Sequence, residues 1–263
     1  MVLWAGLRER RNRLAHGLTL VEGFRAARDA LRAHGRPGVG WAVDAVLVGD
    51  GADPAAAGQA ERMAAGLPVP AVRLSRAAYA RLSSLQAPDG VAAVLRPPSG
   101  PWAGAALLDR LWRDPAARLL AAAGVQDPGN AGALARVAEA AGATGCVFAG
   151  GADVWHPRFL RGSMGSAFRI PCAGVSEDDL RRRWTRGAPL RLLAADARGE
   201  VGMERADWRP PMALLVGGEG EGVPGAFRAA AAGVAVPMSG GAESLNVAVA
   251  AGILLYAART RWP

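Results

Sequence analysis

The spacing of apolar positions changes period several times along the chain, and each change predicts an element. Leu20, Val21, Phe24, Ala27 and Leu31 recur at helical intervals and predict a helix over residues 18–33. The run WAVDAVLVGD that follows predicts a strand, and residues 54–65 predict a second helix. Two short runs, PVPAVRLS and GVAAVLRP, supply further strands. Residues 1–96 therefore read as a small α/β unit. The stretch PPSGPWAG, from Pro97 to Gly104, has no periodicity and is rich in chain-breaking residues, so a linker is assigned to 97–115.

From residue 116 onward, short apolar runs alternate with helical ones. Strands are expected at 118–125, 145–149, 190–195, 212–216 and 233–237. Helices are expected at 131–141, at 177–186, just after Pro224, and over 243–261. Such alternation calls for a parallel sheet covered on both faces. The fold class is α/β, in two units, without internal repeats.

Composition adds less. The 263 residues carry a formal charge of +8, and every basic residue is arginine, none lysine. The guanidinium fork suits phosphate and stacks on bases, which admits an RNA partner without requiring one. Cys146 and Cys172 are far apart, with no CxxC and no histidine spacing near them. They read as buried thiols, and His16, His34 and His156 show no ligand pattern, so no metal is expected. The first twenty residues lack the apolar run of a signal peptide. The longest apolar run, 247–258, is shorter than the ~20 residues of a membrane span, so a cytoplasmic, membrane-free protein is expected.

Three glycine-studded segments carry the candidate chemistry. In DPGNAGALARVAEAAGATG, residues 127–145, Asn130 stands where a helix N-cap is expected, with Arg136 six residues on. A purely structural reading has Asn130 as a cap and Arg136 paired with Glu139. The second segment, LLVGGEGEGVPGAF, contains a literal G-x-G-x-x-G, Gly220 to Gly225, after a strand. A dinucleotide fold is the obvious rival, but too little chain follows to complete its second half. Glu219 and Glu221 would also repel a pyrophosphate, and Pro224 interrupts the motif. The third segment, VAVPMSGGAESLNVAVAAG, puts Pro237-Met238 at a strand end and Ser244-Leu245-Asn246 at a helix start. Capping by Ser244 or Asn246 is the plain alternative there.

In this combination and order the three segments resemble the SpoU/TrmH family of RNA 2′-O-ribose methyltransferases, within the SPOUT superfamily. The matching positions are Asn130, Gly132 and Arg136, then Gly217 to Gly222, then Pro237-Met238 and Ser244-Leu245-Asn246. RGSMGSAFRIP, residues 161–171, is similar to the family's serine-glycine segment. The likeness covers residues 116–261. ERRNRLAHGLTLVEGFRAARDAL and QAPDGVAAVL resemble the small, ribosomal-protein-like substrate domain that precedes many members. Two positions depart from the family: Gly218 replaces the usual Asn or Ser, and Ala195 stands where a threonine is common.

The resemblance implies a C-terminal domain with a deep trefoil knot, S-adenosylmethionine as cofactor, and a homodimer through that domain. It implies cofactor contacts from Ala195, Gly217, Gly218, Glu219, Gly222, Val236, Met238 and Leu245. Catalytic roles fall to Arg136, Asn130, Glu219, Ser244 and Asn246, with Arg136 either aligning the ribose oxygen or taking its proton. RNA contacts are expected from Arg8, Arg10, Arg11, Arg13, Arg161 and Ser163. Ribosomal RNA is favoured over transfer RNA, because compact relatives acting on transfer RNA often lack the N-terminal domain. A transfer-RNA enzyme and a catalytically silent RNA-binding member remain the alternatives.

Overall fold

The computed structural model describes residues 2–187 and 189–262. Its N-terminal unit runs through α1 (Val2–Ala5), α2 (Arg10–His16), β1 (Thr19–Glu22), α3 (Phe24–Ala33) and β2 (Ala42–Gly49). It continues with α4 (Pro54–Ala65), β3 (Ala71–Leu74), α5 (Arg76–Leu82) and β4 (Val91–Arg96). The sheet order is β1-β4-β2-β3, antiparallel except for the β2–β3 pair. The helix expected over 18–33 is therefore two elements. Leu18–Val21 is apolar but for Thr19, too short a run to tell a strand buried on both faces from a helix, and the chain turns at Gly23 with φ +101°. Side chains alternate across this sheet: Val21, Val46, Val91 and Leu95 face α3 and α4, whereas Leu20, Leu47, Ala92 and Val94 face α5.

The C-terminal unit contains α6 (Gly104–Trp112), β5 (Arg118–Ala123), α7 (Pro128–Ala141), β6 (Gly145–Ala149), α8 (Pro157–Gly162) and β7 (Cys172–Val175). It ends with α9 (Glu177–Thr185), β8 (Arg191–Ala195), β9 (Val201–Gly202), β10 (Met212–Gly217), α10 (Gly225–Arg228), β11 (Ala232–Ala235) and α11 (Val247–Arg259). Seven strands form one sheet, β7-β6-β5-β10-β8-β11-β9, and every pairing is parallel. One face packs α7 and α11 over Leu120, Ala122, Leu214 and Val216; the other packs α6 and α9 over Leu119, Ala121, Ala213 and Leu215. Part of the segment assigned to the linker is thus helix α6, with Leu107, Leu108, Leu111 and Trp112 buried in that second face.

The last helix begins at Val247, four residues later than its periodicity suggested, so Glu243, Ser244 and Leu245 lie in the preceding loop. Cys146 and Cys172 are register partners on β6 and β7, both buried and free. Their mutual hydrogen bond and their burial push the Cys146 thiol well above its ordinary pKa. Among the described residues no group of three or more His, Cys, Asp or Glu could hold a metal ion, and no helix is long and apolar enough to cross a membrane.

The two units meet through side chains. Trp41, from just before β2, donates to the Ala167 carbonyl at 2.9 Å and packs edge-on against Trp155 and Phe168. The Thr19 hydroxyl donates to the Trp155 carbonyl at 2.6 Å. Arg13 is 4% exposed, bonds Asp153 at 2.7 Å, and donates to the carbonyls of Leu7 and Arg8. It is a strut between the units, not a surface contact for RNA. Arg8 is exposed but lies along the surface and caps the end of α5 through the carbonyls of Leu82 and Ser83. Of the four N-terminal arginines expected to meet RNA, only Arg10 and Arg11 point to solvent without such bonds.

Candidate active site

The strand order reverses between β5 and β10, and the ends of those strands are where a doubly wound sheet opens a crevice. Ala123 and Gly217 are register partners at that edge. Beyond Gly217 the chain doubles back: a Cβ there would lie 1.9 Å from the Gly222 carbonyl, so only glycine permits the turn. A second close approach explains Gly132, where a Cβ would meet the Phe159 carbonyl at 2.4 Å and force α7 away from α8.

Between the loops lies a cavity of about 660 Å³. All the residues expected to hold a cofactor stand in its wall: Ala195, Gly217, Gly218, Glu219 and Gly222 on one side, Val236, Met238 and Leu245 on the other. Ser244 and Asn246 join them. Val216, Val234 and Leu254 make an apolar floor, while Asp196, Glu219 and Glu221 bring carboxylates to the wall. The volume is that of a small-molecule site. Arg198 and Arg228 stand in the same wall, Arg228 3.7 Å from Asp196, so the rim carries both charges; with the apolar floor and backbone edges it fits a nucleoside with a charged side chain. Asp196 and Arg198 were not foreseen. Their only signal is the DARG turn directly after β8.

The first turn of α7 is organised differently from expectation. Asp127, not Asn130, is its N-cap, accepting the Asn130 N–H at 2.9 Å. That bond, helped by the charge of Arg158 at 3.0 Å, holds the Asp127 carboxyl below its ordinary pKa. Asn130, one turn in, is free to use its side chain. Its amide donates to Glu219 Oε1, and its carbonyl oxygen accepts from Asn246 Nδ2 at 3.4 Å. Asn246 in turn caps α11, accepting from Ala248 N at 2.9 Å and Val249 N at 3.4 Å. One residue from each glycine-rich segment thus meets the others at the cavity mouth, although they lie 89 and 116 positions from Asn130.

Arg136 is not part of that cluster. It is exposed on α7, outside the cavity wall, with no hydrogen bond or ion pair among the described residues. The pairing with Glu139 that the purely structural alternative called for does not form, because Glu139 accepts from Ser166 Oγ at 2.6 Å and from Arg169 Nε at 2.5 Å and Nη2 at 2.8 Å. Burial works to raise the Glu139 pKa, but these bonds and the charges of Arg169 and Arg36 outweigh it, leaving the group below its ordinary value. Ser163 is fully buried and donates to the Leu160 carbonyl at 2.8 Å, so it is withdrawn from any substrate. Arg161 is half-buried at the end of α8.

Comparison with known proteins gives a consistent picture. The model of the SpoU rRNA Methylase family matches residues 117–256, and that of the MRM3-like substrate binding domain matches residues 3–93. The 23S rRNA (uridine(2479)-2′-O)-methyltransferase of Streptomyces viridochromogenes is 39% identical over 138 residues, 50% of this chain and 48% of that one. The chain thus spans about half the length of that relative. The 23S rRNA (guanosine(2553)-2′-O)-methyltransferase RlmP of Bacillus subtilis is 30% identical over 261 residues, 96% of this chain and 93% of its own. In the crystal structure of the SpoU methyltransferase AviRb from Streptomyces viridochromogenes, in complex with AdoMet, the match covers 99% of this chain and 97% of that one. Its TM-score is 0.80 at 29% identity.

Proposed function

The chain belongs to the SpoU rRNA methylase family, and from that premise we propose that it is an S-adenosylmethionine-dependent methyltransferase acting on a ribose 2′-hydroxyl of ribosomal RNA. The observation that carries this reading is the meeting of Asn130, Glu219 and Asn246 at the mouth of a nucleoside-sized cavity. When bound, S-adenosylmethionine supplies a methyl group on a positively charged sulfur. Backbone groups around Gly217, Gly218, Val236, Met238 and Leu245, with Ala195 and Gly222, would hold the cofactor. The Glu219 carboxylate, which fixes the Asn130 side chain, would offset its positive charge. Ser244 and Asn246 line the approach of the ribose.

Arg136 aligns the 2′-oxygen and a neighbouring phosphate through its planar fork, for which a lysine point charge is no substitute. It does so in a homodimer. Leu245, Val249 and Tyr256 are 38, 52 and 52% exposed, in and just before α11, which packs on α7 through Val137 and Ala140. A second copy covering this apolar face places Arg136 beside the shared site. The trefoil knot of the superfamily, the division into a substrate domain (1–96), connector (97–115) and catalytic domain (116–263), and a cytoplasmic location belong to the same reading.

The test is incubation with labelled S-adenosylmethionine and unmodified ribosomal or transfer RNA, followed by digestion to nucleosides. Label is expected in a 2′-O-methylnucleoside from ribosomal RNA. Arg136→Ala and Arg136→Lys should each lower the rate by ~100-fold or more while S-adenosylhomocysteine still binds. Label on a base would overturn the proposed chemistry, and label confined to transfer RNA would overturn the substrate.

A further inference from the structure

Three helices of this chain, α2, α3 and α9, carry three arginines each, and their charges are treated differently. On α9, Arg181 and Arg182 pair with Asp178 and Asp179 one turn earlier, and Arg183 pairs with Asp109 of α6. The arginines of that helix are thus neutralised by carboxylates, and none of them stands in the cavity wall. On α3, Arg25 and Arg32 are exposed and bonded to no acidic group among the described residues, and so is Arg36 just beyond the helix. Arg28, between them, makes one long contact of 3.4 Å with Asp29, and its Nε is buried without a partner.

The spacing 25, 28, 32 puts these side chains on one face of α3, opposite the buried Ala27, Ala30 and Leu31. The single acid of the helix, Asp29, is turned into the seam, 12% exposed and 3.8 Å from Arg169. Arg169 also grips Glu139 of α7, so one guanidinium joins the arginine face of α3 to the helix that carries Arg136. Arg36 lies near enough that its charge acts on Glu139. An uncompensated row of like charges repels itself on a free surface and is relieved by a polyanion.

We propose that Arg25, Arg28, Arg32 and Arg36 form a phosphate-binding track for the substrate RNA, which leads along α3 and across the Arg169 bridge toward Arg136. Resting on the methyltransferase reading above, this track assigns RNA capture chiefly to α3; in the arginine-rich N-terminus Arg8 and Arg13 serve the fold, which leaves Arg10 and Arg11 there to meet RNA. Arg25 and Arg32 are separated by roughly 10 Å of helix, so they engage different phosphates. Contacts of this kind set affinity and register without reading bases.

The deciding experiment measures binding of protein-free ribosomal RNA over a series of salt concentrations, alongside methyl transfer. Arg25→Gln/Arg32→Gln should weaken binding ~10-fold or more and flatten the slope of log affinity against log salt by about 1.5. KM for RNA should rise while kcat and S-adenosylhomocysteine affinity hold. The comparison variant, Arg76→Gln/Arg81→Gln, removes the same charge from α5 on the opposite face of the same sheet and should change binding less than twofold. Equal weakening by both variants, or none by the first, overturns the track and leaves the enzymatic reading standing. RNA binding that depends on α3 without any methyl transfer supports the track and overturns the enzymatic reading instead.

Discussion

At its N-terminal end α7 opens onto a cavity made largely of main chain; along its flank the same helix closes a seam made of side chains. The cavity wall is drawn from three loops in which glycines let backbone meet backbone, as at Gly217 against Gly222. Its few side-chain bonds, Asn130 to Glu219 and to Asn246, lie at the solvent edge. The seam is aromatic and charged, with Trp41 against Trp155 and Phe168, Arg13 on Asp153, and Arg169 between Asp29 and Glu139. A site that must admit a ligand leaves space and unsatisfied edges. A joint that must hold two units in register fills space and pairs most of its charges, while leaving Arg13 Nε buried without a partner.

That contrast predicts which substitutions separate binding from stability. The largest effect is expected at Gly217→Ala, whose methyl group has no room beside the Gly222 carbonyl. S-adenosylhomocysteine affinity, read by calorimetry, should fall by ~100-fold or more, with an overpacking cost of about 1–3 kcal/mol in stability. Affinity within threefold of wild type would show that the loop relaxes and that the backbone wall is not what holds the ligand.

Trp41→Ala should do the reverse. Removing a side chain only 2% exposed, together with its bond to Ala167, should lower denaturant stability by ~3–5 kcal/mol. S-adenosylhomocysteine binding should survive, because no wall of the cavity includes the seam. A parallel loss of both would mean that the two regions are one cooperative structure.

The smallest effect sharpens the same division. The folded-state pKa of Glu139 lies below its ordinary value of 4.5, so its contribution is complete above that pH and is lost as pH falls through the folded value. Glu139→Gln should cost about 1 kcal/mol at neutral pH, discounted because the side chain is a quarter exposed. The difference from wild type should shrink toward zero as pH falls from 4.5 through the lowered folded-state value. A difference independent of pH would show that Arg169 does not depend on the Glu139 charge.

The strands and helices around the cavity were legible because their signals are local. Short apolar runs, ended by Asp-Pro-Gly, Gly-Gly or, after β8, Asp-Ala-Arg-Gly, predicted β5, β6, β8 and β10 within two residues at either end. Elsewhere local signals were ambiguous. Residues 18–33 satisfied helical spacing although their first part pairs with β4, and short helices such as α5 and α8 left too few positions for a period to show. The start of α11 was misplaced because good helix formers precede its cap, and only the Asn246 side chain marks the true start.

By itself the sequence determined the parallel α/β architecture, the order of the three glycine-rich segments, and therefore which residues stand around the cavity. Backbone-built sites are specified by residue types that alter the backbone, and those types are visible one position at a time. The tertiary structure alone decided how the charges are used. Arg8, Arg13, Arg25 and Arg136 are one residue type in one composition, yet two brace the fold and two stand open to solvent. What separates them is the neighbour that folding supplies: Leu82 and Asp153 approach across 74 and 140 positions, and among the described residues nothing comparable reaches Arg25 or Arg136. A guanidinium has the same fork everywhere, and its role is set by whether its partner comes from the chain or is left to the ligand.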